Sequence, residues 1–184
     1  MNKELAFLLG AFGDGSLPDR SYKWDYTIEF DQKNKQWLGL VAENLYNVFG
    51  KKPNVKKTKK GYYRLRLYSK GIYKRLEYYR SNVKLINSKS LRKEFVKGFY
   101  DAEATVHKSR YSIVVYNKNR ELIEFSKNAL LQFKINPSKN YIDKRSDTIS
   151  YSIYGKNQLI KFRENIGFTH PEKVKKLNKL LDSI

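Results

Sequence analysis

Two carboxylates, Asp14 and Glu103, each follow an apolar segment that contains small residues. Leu5–Gly15 and Leu91–Ala104 both have the spacing of an amphipathic helix, and each acid stands at the C-terminal end of its segment. Because the helix macrodipole favours cations at that end, an acid there is unfavourable. Two such acids in one chain therefore indicate selection for a function rather than for stability.

The chemistry open to this pair is set by the available ligands. Two carboxylates that lie close together repel, and their pKa rises unless a cation neutralises them. The chain has no cysteine and only two histidines, His107 and His170, which excludes disulfides, cysteine nucleophiles, thiolate zinc sites and multi-histidine sites. With oxygen ligands alone, the predicted cation is hard: Mg²⁺, or another divalent ion such as Mn²⁺. Held over a phosphodiester, such ions activate water and stabilise the leaving oxygen. Either acid taken alone has an alternative interpretation as an ordinary turn residue.

The net charge indicates a polyanionic partner. The chain has 38 lysines and arginines against 18 acidic residues, a formal net charge of +20, which favours nucleic-acid binding over the alternative of a basic surface that only aids solubility. The 15 tyrosines and 10 phenylalanines supply a core, so a disordered basic tail is excluded. We expect no signal peptide and no membrane span. With the lack of cysteine, this favours an intracellular location, in the cytoplasm or an organelle matrix.

The elements between the acids are marked by periodicity and caps. Alternation of apolar and polar residues predicts strands, and the 3.6-residue period between a capping Asn34 and a closing Gly50 predicts a helix. The predicted elements of the first half are a strand at Tyr26–Gln32, the helix from Asn34 to about Phe49, a strand or loop at Pro53–Lys60, a strand at Tyr62–Tyr68 and a helix from about Gly71 to Tyr79.

The second half repeats the first. Tyr26–Asn34 aligns with Tyr111–Asn119 at a constant offset of 85 residues, and Leu67–Lys70 recurs as Ile153–Lys156. We therefore predict an α+β fold of two pseudo-symmetric αββαββα units: residues 1–83, a connection at 84–90, and residues 91–184, which end in an extra basic helix from Pro171.

Small residues predict how the two units meet. Gly10 and Gly13 would pack against Gly98 and Ala102, since small side chains let helix backbones approach closely. The two acids would then lie side by side at the pseudo-two-fold axis.

The face of each antiparallel sheet that points away from the helices carries basic and polar side chains, so the two sheets predict a saddle that binds DNA in the major groove. Acids on that face suit acceptance from cytosine amino groups. An ordinary solvated sheet face is the alternative. The residues predicted to contact DNA are Arg20, Thr27, Glu29, Asp31, Lys56, Lys57, Tyr62, Arg64, Arg66, Tyr68, Lys108, Arg110, Ser112, Lys139, Lys144, Arg145, Ser150 and Ser152.

These residues resemble the LAGLIDADG homing endonucleases, in the single-chain form with two motifs. Val96–Ala104 matches the nine-residue motif position by position, with Ala104 in place of the final glycine. The first motif matches at its end, Gly13-Asp14-Gly15, but Gly10 lies four residues before its acid whereas Gly98 lies five before Glu103.

The resemblance implies a monomer that cleaves both strands of double-stranded DNA at a long, asymmetric site. It implies that Asp14 and Glu103, with the adjoining Gly13 and Ala102, hold the metal. It also implies that a polar residue and a lysine near each acid assist catalysis, and by position these pairs are Gln32 with Lys33 and Asn117 with Lys118. The alternative is that these pairs only help their neighbours Asn34 and Asn119 to cap helices.

Two other functions stay open at the level of the sequence. The first is an RNA maturase that assists the splicing of a host intron. The second is a sequence-specific DNA binder that does not cleave. The intact pair of acids favours the nuclease.

Overall fold

A computed structural model describes residues 1–18 and 25–183. Helices and strands alternate as predicted, with a 3₁₀ turn at Val83–Leu85 between the units. The helices are α1 Lys3–Ala11, α2 Lys35–Phe49, α3 Lys70–Arg80, α4 Lys89–Glu103, α5 Arg120–Leu131, α6 Lys156–Asn165 and α7 Pro171–Leu181. The strands are β1 Gly15–Ser16, β2 Thr27–Gln32, β3 Asn54–Lys57, β4 Tyr63–Tyr68, β5 Ala104–His107, β6 Ser112–Asn117, β7 Tyr141–Asp143 and β8 Thr148–Tyr154.

The strands form two four-stranded antiparallel sheets of the same topology. The first sheet has the order β1-β2-β4-β3 and the second the order β5-β6-β8-β7. Each sheet is preceded by one motif helix, α1 or α4, and α7 follows the second unit as an extra helix. The predicted α+β fold of two αββαββα units is confirmed. The second motif helix begins at Lys89, inside the predicted connection at 84–90.

Local signals explain why α2 forms where it does. The Asn34 side chain accepts a hydrogen bond from the Trp37 backbone N–H at 2.9 Å, and Gly50 ends the helix with a left-handed φ of 66°. Between these caps, Trp37, Leu38 and Val41 are buried on one face of the helix. In the second unit Asn119 caps α5 in the same way, by accepting from the Leu122 N–H at 3.2 Å.

Glycine brings α1 and α4 into backbone contact. A Cβ on Gly10 would lie 2.0 Å from the Phe95 carbonyl oxygen, and a Cβ on Gly98 would lie 2.2 Å from the Phe7 carbonyl oxygen. No side chain fits at either position unless the helices separate. The predicted small-residue interface between the units is confirmed, and it is symmetric.

The shorter spacing of the first motif is compensated by a tighter backbone. After α1 ends at Ala11, the Asp14 N–H donates to the Ala11 carbonyl (3.1 Å) and the Gly15 N–H to the Phe12 carbonyl (3.2 Å), as in a 3₁₀ turn. Since a 3₁₀ turn rises by about 2.0 Å per residue against about 1.5 Å for an α-helix, four residues here span roughly the 7.5 Å that five helical residues span in α4. Both acids therefore reach a similar height above the glycine contact.

The inner faces of both sheets and the apolar faces of the helices form one core. Its largest fully buried side chains include Trp37, Phe95, Tyr100 and Tyr151. Among residues 1–18 and 25–183, no helix has both the length and the apolar character needed to cross a bilayer.

Candidate active site

The acid-bearing ends of the two motifs touch each other. Glu103 is the last residue of α4, and Asp14 lies in the turn between α1 and β1. A Cβ on Gly13 would lie 2.2 Å from Glu103 Oε1 and 2.8 Å from the Ala102 Cβ. The absence of a side chain at Gly13 thus lets the second carboxylate lie against the backbone next to Asp14.

Each acid is paired with a side-chain amide at an equivalent position of its unit. Gln32 Nε2 donates to Asp14 Oδ2 at 2.8 Å, and Asn117 Nδ2 donates to Glu103 Oε1 at 2.9 Å. The amide oxygens accept from backbone N–H groups at 2.7 Å, Gln32 from Lys33 and Asn117 from Asn119. Because the oxygen is held by the backbone, the NH₂ group must face the carboxylate.

The alternative interpretation of these amides as helix-capping aids is correct for their neighbours. Asn34 and Asn119 are the caps, whereas Gln32 and Asn117 contact the acids. The residues that the sequence paired by position are therefore the ones that the fold brings to the carboxylates.

The predicted lysines lie elsewhere. Lys33 and Lys118 are exposed, and the Lys33 ammonium lies 5.5 Å from the centre of the Tyr62 ring. Within the described ranges, neither lysine forms a hydrogen bond or ion pair with Asp14 or Glu103. The ammonium that acts electrostatically on both acids belongs to Lys173 on α7, which the sequence analysis did not single out.

Burial raises the pKa of both acids. The pKa of Asp14 rises to about 6, mainly through desolvation, and this is opposed by the positive charge of Lys173 and the Gln32 hydrogen bond. The pKa of Glu103 rises to about 7, again mainly through desolvation, against the Asn117 hydrogen bond and with a further rise from the charge of Asp14. The site thus holds more negative charge at neutral pH than its surroundings stabilise, which is the electrostatic setting of a cation site.

The donors fit a hard cation with an incomplete protein shell. In the described part of the chain, no group of three or more histidine, aspartate or glutamate side chains is placed to hold a metal. Two carboxylates must therefore be completed by backbone carbonyls, water or phosphate oxygens, as is common for Mg²⁺. Gly13 and Ala102 adjoin the acids and are the predicted carbonyl ligands.

Ion pairs cover the outer face of the first sheet. Arg64 binds Asp31 through two hydrogen bonds of 2.6 Å across β4 and β2. Arg66 Nε donates to Glu29 Oε1 at 3.0 Å one step along the same strands. Guanidinium donors and carboxylate acceptors therefore alternate on this face at fixed positions.

Hydroxyl groups line the outer face of the second sheet. A groove of about 680 Å³ has Ser112, Ser150 and Ser152 among its lining residues, together with Tyr116 and Tyr141. Ser112 and Ser150 are only 4% and 9% exposed. The prediction of an open face is therefore wrong at these two serines, which lie in a groove beside tyrosines.

The other predicted DNA contacts divide simply. Thr27 is 1% exposed and its hydroxyl donates to Asp25, so the prediction that it faces outward is wrong. Arg20 lies outside the described residues. Exposed side chains are found at Lys56, Lys57, Tyr62, Tyr68, Lys108, Arg110, Lys139, Lys144 and Arg145.

Known proteins resemble the chain in sequence and in fold. The LAGLIDADG-like domain family matches residues 90–167. The homing endonuclease I-ApeI of Aeropyrum pernix is 30% identical over 196 residues, which cover 96% of this chain and 86% of that protein. An uncharacterised protein of Methanocaldococcus jannaschii is 24% identical over 98% of this chain and 72% of its own length.

Two solved structures show the same architecture. The crystal structure of I-DmoI in complex with DNA and Ca superposes with a TM-score of 0.77 at 25% identity, covering 96% of this chain and 97% of that chain. The complex of I-DmoI with DNA and Mn gives a TM-score of 0.74 at 24% identity, covering 90% of this chain and 96% of that chain.

Proposed function

The chain belongs to the LAGLIDADG homing endonucleases, in the single-chain form with two motifs, and from this premise we propose that it is a metal-dependent, site-specific DNA endonuclease that cuts both strands of a long, asymmetric target. Asp14 and Glu103 hold the metal in this proposal, with Mg²⁺ or Mn²⁺ as the cation. The observation that carries it is the repeated pairing of a buried acid with an amide, at the touching ends of the two motif helices.

The cation requirement follows from the charge of the site. Burial raises the pKa of both acids, so bringing both into their ionised form near neutral pH needs a compensating positive charge. Hard divalent cations match carboxylate and carbonyl oxygens. Solved structures of I-DmoI with its target DNA contain Mn or Ca, and one was obtained in the presence of Mg, which supports this choice. When bound, such an ion supplies a polarised water and stabilises the leaving oxygen.

The protein side chains position the reacting groups. Gln32 and Asn117 hold the two carboxylates in one orientation, so the acids need not reorganise when DNA arrives. The two sheets flank the acids and present arginine on one side and hydroxyl groups on the other. We infer that each sheet contacts one half of the target, so that one chain suffices and the active protein is a monomer.

Cleavage assays test this proposal directly. A target is first selected from a library of random duplexes by cleavage in Mg²⁺, and the wild type is then compared in Mg²⁺ and in EDTA. Asp14→Asn and Glu103→Gln should bind the target normally in Ca²⁺ but lose cleavage, while Glu164→Gln, an exposed acid on α6, should cut like the wild type.

The outcomes separate the alternatives. A wild-type protein that binds DNA but never nicks any duplex in Mg²⁺ is a non-cleaving binder, and one that instead accelerates the splicing of a host intron RNA is a maturase. Unchanged cleavage by both acid variants would overturn the assignment of the metal site.

A further inference from the structure

The C-terminal helix is fastened to the second motif by a buried carboxylate. Asp101 lies inside α4, is 0% exposed, and accepts hydrogen bonds from the backbone N–H groups of Thr169 (3.0 Å) and His170 (3.1 Å). It also accepts from the Thr169 hydroxyl and from the indole N–H of Trp37 on α2 at 3.1 Å. One side chain thus joins both units to the start of α7.

This attachment places a lysine over the end of α4. Lys173, in the first turn of α7, donates to the carbonyl oxygens of Tyr100 at 3.1 Å, Ala102 at 3.4 Å and Asp101. The carbonyls of a last helical turn lack partners within the helix, and a cation there is favoured by the macrodipole. Lys173 therefore stabilises the turn whose final residue is Glu103.

We propose that Lys173 is a positioning residue for the endonuclease site: its ammonium holds the last turn of α4, and with it the Ala102 carbonyl and the Glu103 carboxylate, in the arrangement used for cleavage. This inference rests on the proposed function. It assigns the lysine a structural hold on the site rather than contact with the reacting water. It also gives α7 a role that the repeat of two units does not require.

The first motif has no equivalent device. The residue that aligns with Asp101 there is Phe12, and the Arg80 guanidinium lies 4.6 Å from the centre of its ring. Its acid follows the hydrogen-bonded turn from Ala11 to Gly15 instead. The loss of Lys173 should therefore disturb one motif more than the other, so the two strands should be cut with unequal loss of rate.

The test compares Lys173→Met and Lys173→Arg with Lys179→Met, an exposed lysine on the same helix. Two readouts are needed: the rates of first-strand and second-strand cutting in Mg²⁺, and hydrogen exchange of the backbone amides in the last turn of α4. Binding to target DNA in Ca²⁺ and the melting temperature serve as controls.

Lys173→Met should bind DNA within about twofold of the Lys179→Met control, because α7 is not part of either sheet face. Its cutting should slow by roughly ten- to a hundredfold, as a misplaced active-site group does, with nicked DNA accumulating. Exchange should quicken in the last turn of α4 and stay unchanged in β6. Lys173→Arg should restore part of both properties, since it keeps the charge and the donors.

Three results would overturn the proposal. The first is a Lys173→Met protein with wild-type strand ratio and wild-type exchange in α4. The second is exchange that quickens throughout the chain with a matching fall in melting temperature, which would make Lys173 a general stabilising residue. The third applies if the wild type does not cut DNA: the proposed function then fails by itself, and unchanged exchange in α4 would refute the positioning role separately.

Discussion

The first unit completes its motif with a tight turn after α1, whereas the second keeps α4 helical as far as Glu103. Both nevertheless bring a carboxylate to an amide of the following sheet, at 2.8 Å in one unit and 2.9 Å in the other. The acid–amide contact is thus the conserved result of the duplication, and the backbone that leads to it varies. A symmetric centre can be built on two unlike supports.

The two sheets differ more strongly than the two motifs. The residues of the second sheet that align with Arg64, Arg66, Glu29 and Asp31 are Ser150, Ser152, Val114 and Tyr116. Four charges in one unit correspond to none in the other. The centre is therefore nearly symmetric while the DNA-facing surfaces are not, as an asymmetric target requires.

The glycine contact should show the largest effect, and an equal one in both units. Gly10→Ala and Gly98→Ala each place a methyl group 2.0–2.2 Å from a backbone oxygen of the facing helix. We expect each to lower the free energy of unfolding by about 3 kcal/mol or more, as severe overpacking does.

Thermal unfolding checks this expectation. At this chain length, about 3 kcal/mol corresponds to a fall in melting temperature of roughly 6–12 °C. Gly39→Ala on α2 is the matched control, since nothing lies within 4 Å of its added Cβ, and it should be neutral or slightly stabilising. A clear difference between Gly10→Ala and Gly98→Ala would break the symmetry of the interface.

The pH dependence of stability should reveal the cost of the paired acids. Their pKa values are raised in the folded state, to about 6 for Asp14 and about 7 for Glu103. The folded protein therefore binds more protons than the unfolded chain between about pH 4 and pH 7, and its stability falls as pH rises through that window. In EDTA at pH 8, the double variant Asp14→Asn/Glu103→Gln should be more stable than the wild type by about 2 kcal/mol.

Chemical denaturation from pH 4 to pH 8 measures this difference. The gap should close at pH 4, where the wild-type acids are protonated, and Mn²⁺ should stabilise the wild type but not the double variant. Glu164→Gln should show no such trend. A gap that is constant across the pH range would mean that the acids are not held at raised pKa.

Each amide should matter to the same degree. Gln32→Met and Asn117→Leu replace an amide by an apolar group of similar size and remove the hydrogen bond to the acid. We expect cleavage to fall about tenfold in each, the equivalent of a single hydrogen bond of about 1.4 kcal/mol to a charged group. Gln36→Met, at an exposed position of α2, is the control. A much larger loss in one variant would show that the two acids do not share the work equally.

Local patterns were sufficient to predict the elements and the repeat. The cap at Asn34, the buried stripe from Trp37 and the end at Gly50 all lie within one segment, and the structure confirms each. Alternation in β4 correctly placed Leu65 and Leu67 in the core. The offset of 85 residues then predicted the equivalence of Gln32 and Asn117 at the acids, because a duplicated unit repeats its geometry.

Long-range packing explains what the sequence did not predict. Thr27 and Ser112 were expected to be exposed by alternation, but their cross-strand partners are Tyr68 and Tyr154. Small side chains beside such partners become covered, and only the strand register reveals the pairing. Lys173 is similar, because nothing in the pattern of α7 shows that one of its several lysines reaches the end of α4. The acid at Asp101, buried within a motif helix, was the available signal.

The smallest effects should distinguish the two sheets. Arg64→Ala removes a guanidinium that Asp31 already holds in place and neutralises, so we expect a loss of DNA affinity of about 1 kcal/mol, concentrated at one base position. Ser150→Ala at the aligned position of the second sheet removes a nearly buried hydroxyl and should change affinity by less than about 0.5 kcal/mol. Binding in Ca²⁺ to targets with single base changes measures both variants, with salt titration as a second readout. The Arg64 variant should reduce the salt dependence and Ser150→Ala should not, because only the arginine can displace counterions from phosphate. Equal effects of the two variants on base preference would mean that the charged and hydroxyl-lined faces read DNA in the same way, and the asymmetry of the sheets would then have no bearing on the target.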